Sequence, residues 1–132
     1  MQVRSIDHVN LRIPPDGLEE ARTFYAEHLG FAIEGVERYE RGDKPFFSVR
    51  LAPENIIHLQ PTEGFEPPDG TNYDHVALVV EEGIDAVKER LDAADVDIDR
   101  ELVPLGATGE APAVYVTDPF GYVIELKSAV GE

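Results

Sequence analysis

The pentapeptide Asp7-His8-Val9-Asn10-Leu11 returns 67 residues later as Asp74-His75-Val76-Ala77-Leu78, changed at a single position. A repeat on that scale means that the chain is built from two copies of one supersecondary unit, and it limits the folds open to the sequence more than any other feature. Carried to the far end of each half, the same offset sets Ile56-Ile57-His58-Leu59 against Val123-Ile124-Glu125-Leu126. One polar residue therefore interrupts each apolar run at the equivalent place. Between these segments lie apolar residues at helical spacing, Leu18, Ala21, Phe24, Tyr25 and Leu29 in the first half and Ile84, Val87, Leu91 and Ala94 in the second.

Each half thus reads as strand, helix, then strands. The first helix is expected over about residues 17–29, with Asp16 and Glu19 as a capping box and Gly30 as a left-handed C-terminal cap. Strand-like runs follow at 31–39 and 45–51, joined as a hairpin by the turn-rich 40–44, and a second turn at 52–55 leads into 56–60. The Pro- and Gly-dense stretch 62–71 reads as a linker, which places module one at about 3–61 and module two at about 72–128. In the second module, weaker strands are expected at 96–103 and 111–117 around an open loop, 104–110, positioned to cover a ligand. Asp118-Pro119-Phe120-Gly121 is a tight turn by composition, feeding a last strand at 122–127.

With 132 residues and 42% apolar content the chain suits one compact domain spanning 1–132. The 27 acidic residues outnumber 11 basic ones, giving a formal net charge of -16 that repels nucleic-acid phosphates and anionic membranes, so neither is expected as a partner. The longest purely apolar run, residues 76–80, is far short of the roughly 20 that span a bilayer, and the first residues lack the apolar stretch of a signal peptide; a cytoplasmic protein is expected. Cysteine is absent, which rules out disulfides, thiolate catalysis and Cys-ligated metal. Any metal must sit on nitrogen and oxygen.

Strand parity then sorts the polar residues. Where Val9, Leu11 and Ile13 pack under a helix, His8, Asn10 and Arg12 point the other way; likewise His75 opposes Val76, His58 opposes Ile57 and Leu59, and Glu125 opposes Ile124 and Leu126. Three histidines and a glutamate are left on the face opposite the helices. An enclosed carboxylate needs a partner, and a metal ion is the most economical one. His28 stands outside this pattern, near a helix C-terminus where an imidazolium is favourable. Phe46, Phe47, Phe65, Tyr73 and Tyr115 read as core or wall.

The Asp-His-Val at the start of each module, Phe24-Tyr25-Ala26-Glu27-His28-Leu29-Gly30-Phe31 at the end of the first helix, and Val116-Thr117-Asp118-Pro119-Phe120-Gly121-Tyr122-Val123-Ile124-Glu125-Leu126 near the C-terminus resemble the vicinal oxygen chelate superfamily. This group includes glyoxalase I, fosfomycin-resistance transferases, methylmalonyl-CoA epimerase, extradiol dioxygenases and bleomycin-resistance proteins. The resemblance runs from Ile6 to Lys127. It implies an α+β fold in which two βαβββ modules form a curved eight-stranded mixed sheet around a metal cleft. The ligands come from the first and last strand of each module, positions held here by His8, His58, His75 and Glu125. It further implies a divalent ion (Zn, Ni, Mn or Fe(II)) with two positions open to adjacent oxygens of a small-molecule substrate, and a homodimer with sites at the interface.

Three functions follow from the resemblance. The first is a glyoxalase I-like lyase or isomerase, the metal stabilising an enediolate-like intermediate and Glu125 serving as catalytic proton-transfer group, with Glu101 or Glu110 as alternatives. His58 departs from the Glu usual in glyoxalase I, which argues against the glutathione hemithioacetal as substrate. The second is an extradiol-type Fe(II) dioxygenase using His8, His75 and Glu125, with His58 as a wall residue, although the familiar extradiol enzymes carry two such domains. The third is a metal-free small-molecule binding or resistance protein, in which the ligand positions are commonly not His and Glu. Asn10, Arg12, Gln60 and Lys127 share the ligand face and are the candidate substrate-binding residues.

Only Lys44, Lys88 and Lys127 are lysines, and an acidic excess with sparse lysine is a halophilic composition, in which counterions screen the self-repulsion. Stability measured by denaturant unfolding is expected to rise from low to molar salt. Greater stability at low salt would show that the acidity serves solubility alone.

Overall fold

The computed structural model describes residues 1–129, which form two compact units, Met1–Glu66 and a second that begins at Pro67, divided within the expected linker. In the first, β1 (His8–Ile13) is followed by a helix, then β2 (Ala32–Glu34), a short helix α2 (Val36–Glu40), β3 (Phe47–Ala52) and β4 (Asn55–Pro61). The sheet order is β1-β4-β3-β2, with β1 parallel to β4 and the other neighbours antiparallel. In the second unit β5 (Val76–Val80), α3 (Ile84–Ala93), β6 (Arg100–Leu102), the small hairpin β7 (Leu105–Gly106) and β8 (Gly109–Glu110), β9 (Ala113–Thr117) and β10 (Val123–Ser128) give the order β5-β10-β9-β6. Both units are therefore βαβββ, the second with a hairpin inserted. The register repeats as well: His8 lies beside Ile56 and Val76 beside Ile124, a spacing of 48 in each module.

The helix-facing residues are the apolar set that parity assigns. In the first unit Ile13, Tyr25, Phe47, Val49, Ile57 and Leu59 are sealed from solvent, and in the second Leu91, Val114, Val116 and Ile124 are. A buried side chain of that size gains about 1.5–3 kcal/mol, so the sheet–helix layer in each unit is what holds its strands in register. Among the described residues no helix is long and apolar enough to cross a membrane.

Four expected elements differ. The first helix covers the expected span, but α1 (Leu18–Ala21) passes into a π-helical stretch, Arg22–His28, in which Leu29 N–H reaches back to Phe24 and Phe31 N–H to Tyr25. The wider turn carries the adjacent Phe24 and Tyr25, both buried. Gly30 is left-handed as expected (φ 82°), but Asp16 is not the N-cap: Gly17 is, closing a turn onto Pro14, with no side-chain cap. The strand expected at 31–39 ends at Glu34 because Gly35 turns left-handed (φ 77°), and Val36–Glu40 is helical. The strand expected at 96–103 narrows to Arg100–Leu102, while the loop 104–110 is the β7–β8 hairpin.

The turn before β10 rests on Asp118, which is 4% exposed. Its Oδ1 accepts hydrogen bonds from Phe120 N–H (2.9 Å) and Tyr122 N–H (2.8 Å), and Gly121 supplies the left-handed residue (φ 99°) that the turn requires. Replacing Asp118 by Ala removes a charged acceptor and orphans two backbone donors. An expected loss of about 3 kcal/mol follows, measured by urea unfolding; a loss near zero would mean that the turn is held by its backbone alone.

Candidate metal centre

His8 and His58 lie on adjacent strands of the first unit, His8 diagonal to His58 across the parallel β1–β4 pair, with ring centroids 4.6 Å apart. In the second unit His75, immediately before β5, stands in the same relation to Glu125 on β10, its Nε2 3.0 Å from Glu125 Oε1. β4 and β10 are inner strands of their sheets, flanked on both sides. That position explains why Glu125 is sunk to 4% exposure and His58 is half-buried, while His8 on an edge strand stays open.

The imidazole nitrogens are oriented in a consistent way. Nδ1 of His8 is 2.7 Å from Asp7 Oδ2, Nδ1 of His75 is 2.5 Å from Asp74 Oδ2, and Nδ1 of His58 is 2.8 Å from Ser48 Oγ. A carboxylate on Nδ1 favours the Nδ1–H tautomer and leaves the Nε2 lone pair for an ion, the arrangement typical of metal-ligating histidine. His58 is also stacked on Phe46, centroids 3.8 Å apart at 29°. Burial, and after it the nearby His8, lowers its pKa from the ordinary imidazole value, with Asp7 opposing; the result favours the neutral, ligating form.

Glu125 has a second partner. Tyr115, beside it on β9, hydrogen-bonds its carboxylate, and burial followed by that contact raises the Tyr115 pKa, keeping the phenol a donor. Arg100 lies over the Tyr115 ring (4.6 Å), and the His75 ring meets it edge-on (5.4 Å). Chemically, the donors are imidazole nitrogens and one buried carboxylate, types that fit a divalent transition ion. Among the described residues no three His, Asp or Glu side chains converge tightly enough to hold an ion: the convergent sets are pairs, one in each unit.

The four expected substrate-binding residues have mixed placements. Asn10 donates to Gln60 (3.1 Å) and Arg12 to Thr62 (3.3 Å), the two donors exposed and their partners half-buried. Lys127 is buried, and its ammonium donates to the Gly109 carbonyl, pinning the β7–β8 hairpin. Of the alternative proton carriers, Glu101 is paired with Lys88 at 2.5 Å, and Glu110 is exposed on β8. His28 stacks edge-on against Phe24, away from the ligand pairs. Sequence reasoning missed Asp7, Asp74, Ser48 and Tyr115 as supports of the site. The first two had a signal: an Asp precedes the strand-leading His in both repeats.

Two βαβββ units, each with His at or just before the start of its first strand and His or Glu on its last, have a glyoxalase-like fold. The chain belongs to the Glyoxalase/Bleomycin resistance protein/Dioxygenase superfamily, whose family model matches residues 5–126. Among solved structures, it is similar to a virulence protein from Salmonella typhimurium (26% identity, 98% of this chain and 100% of that one, TM-score 0.76). It is also similar to a protein from Bacillus anthracis placed in the glyoxalase family (27%, 97% of each chain, TM-score 0.75). A lactoylglutathione lyase from Agrobacterium tumefaciens shares the fold at 17% identity (98% and 96% covered, TM-score 0.67). No curated protein matches the chain.

Proposed function

We propose that the protein is a metal-dependent lyase or isomerase acting on a small molecule with two neighbouring oxygens. The proposed ligands of one divalent ion are His8 and His58 from the first unit and His75 and Glu125 from the second. The reading is carried by the twice-occurring Asp–His pair, in which Asp7 and Asp74 hold Nδ1 and leave Nε2 available, in the second unit 3.0 Å from a buried carboxylate. When bound, the ion supplies Lewis acidity to a substrate oxygen.

Glu125 is the proposed proton carrier, taking a proton from one carbon and returning it to its neighbour, with the Tyr115 hydroxyl as its hydrogen-bond partner and His75 Nε2 3.0 Å from Oε1. Asn10 and Gln60 already bond each other and exchange that bond for polar groups of a substrate. Lys127 acts structurally, through the hairpin it holds.

A second reading, an Fe(II) oxygenase using His8, His75 and Glu125, is favoured by one observation: His58 is stacked on Phe46 and engaged by Ser48, as a wall residue would be. A homodimer is proposed in either case, supported by apolar side chains of the second unit left in solvent, Val79 at 54% and Leu105 at 81% exposure. A monomer by sedimentation in molar salt would refute it.

Protein purified without chelator should carry a stoichiometric divalent ion. Asp74→Ala should weaken its binding about 10- to 100-fold with the fold intact, and Glu125→Gln should abolish turnover. Hemithioacetal isomerisation and oxygen uptake with catechols separate the two readings. A chain that takes up no metal by equilibrium dialysis is a binding protein instead.

A further inference from the structure

Beside His58 the first unit opens into a pocket of about 300 Å³, lined by Glu34, Arg38, Lys44, Phe46, Ile56 and His58 among others. Its charges are unlike those elsewhere in the chain. Glu34 is neutralised by Arg50, whose guanidinium bonds it through Nε (3.2 Å) and NH2 (3.1 Å). Among the described residues the Arg38 and Lys44 side chains have no hydrogen-bond, ion-pair or cation–ring partner, whereas every other Lys and Arg has a polar, ionic or ring contact. In a chain with 27 acidic residues, two unpartnered cations at one pocket are not explained by scarcity of carboxylates. The backbone also fixes them together: Lys44 N–H and Asp43 N–H both bond the Arg38 carbonyl, at 3.3 and 2.9 Å. The apolar part of the lining is Ile56 and Phe46, whose ring is stacked on His58.

We infer that this pocket takes the oxyanion of a small organic acid, a carboxylate or phosphate held by Arg38 and Lys44 while Phe46 and Ile56 pack against its apolar or aromatic body. Arg38 offers a planar fork and Lys44 a compact charge, a combination suited to an oxyanion rather than to a neutral polar group. The volume lies at the lower end for ligand pockets and suits a one-ring molecule. Because His58 forms one wall, the inference rests on the proposed site and gives its substrate class: an acid whose charged end is bound away from the reacting oxygens.

The test uses the full chain stripped of metal, so that a failed metal reading leaves it interpretable. Benzoate, phenyl phosphate and the neutral benzyl alcohol are titrated at constant ionic strength, with binding followed by calorimetry and by the ring NMR signals of Phe46 and His58. At least one anion should bind tenfold or more tightly than benzyl alcohol and shift those signals. Arg38→Ala/Lys44→Ala should lose at least tenfold, the single reversal Lys44→Glu should lose as much, and Arg41→Ala, whose charge is paired with Asp43, should change nothing. Equal affinity for benzyl alcohol, undiminished binding in both pocket variants, or shifts confined to other residues would overturn the inference. A metal that binds normally beside such a result would leave the proposed function standing without this substrate class.

Discussion

The burial of Glu125 is the constraint on which the rest of the second unit depends. An ionised carboxylate on an inner strand loses most of its water, and it stays there only if other groups replace that water. Tyr115 does so from β9 by a hydrogen bond, His75 Nε2 stands 3.0 Å from Oε1 just ahead of β5, and each has its own support: Asp74 orients the imidazole, and Arg100 covers the phenol ring. One buried charge thereby fixes the polar neighbours across β5, β10, β9 and β6. The first unit has the same diagonal geometry with His58 in place of the glutamate. An imidazole can be neutral, so its neighbours are a serine hydroxyl and a stacked phenyl ring instead of a charged network.

The duplication explains why so much of this could be read from residues alone. A period-two strand pattern leaves no freedom about which face a residue occupies, and an offset of 67 repeated the pattern, so His8, His58, His75 and Glu125 each fell on the face away from the helices. The 48-residue register common to both modules is the structural counterpart of that offset. Legibility ended where backbone conformation outweighed side-chain pattern. Gly35 sits inside an apolar run that alternates like a strand, yet its left-handed conformation ends β2 and begins α2. The π-helical stretch leaves no mark in the sequence, since Phe24 and Tyr25 suit a helix of either pitch. The supports of the site were harder still: a Ser on β3 or a Tyr on β9 acquires meaning only from the residue opposite it in the sheet.

Those same late-appearing features shape the pocket. Had residues 31–39 continued as a strand, Arg38 would extend a sheet edge; the turn at Gly35 and the helix after it bring Arg38 to the wall that ends at His58. Glu34, the last residue of β2, is taken up by Arg50 across the sheet, which leaves the helix's cation uncompensated. A single glycine conformation thus separates an ion-paired strand end from an electropositive pocket.

The acidic surface gives that separation a physical purpose. A chain with a net charge of -16 repels an anionic ligand at long range, and attraction must come from groups that the ligand touches. In dilute salt the repulsion reaches well beyond the pocket. In molar salt the screening length falls to about 3 Å, so the surface charge ceases to oppose approach, while hydrogen bonds made in direct contact lie within that length. Under such conditions discrimination for an anion rests on direct contact with Arg38 and Lys44. Two cations kept out of ion pairs are free to make those contacts, whereas the long-range pull of a larger basic patch would be screened.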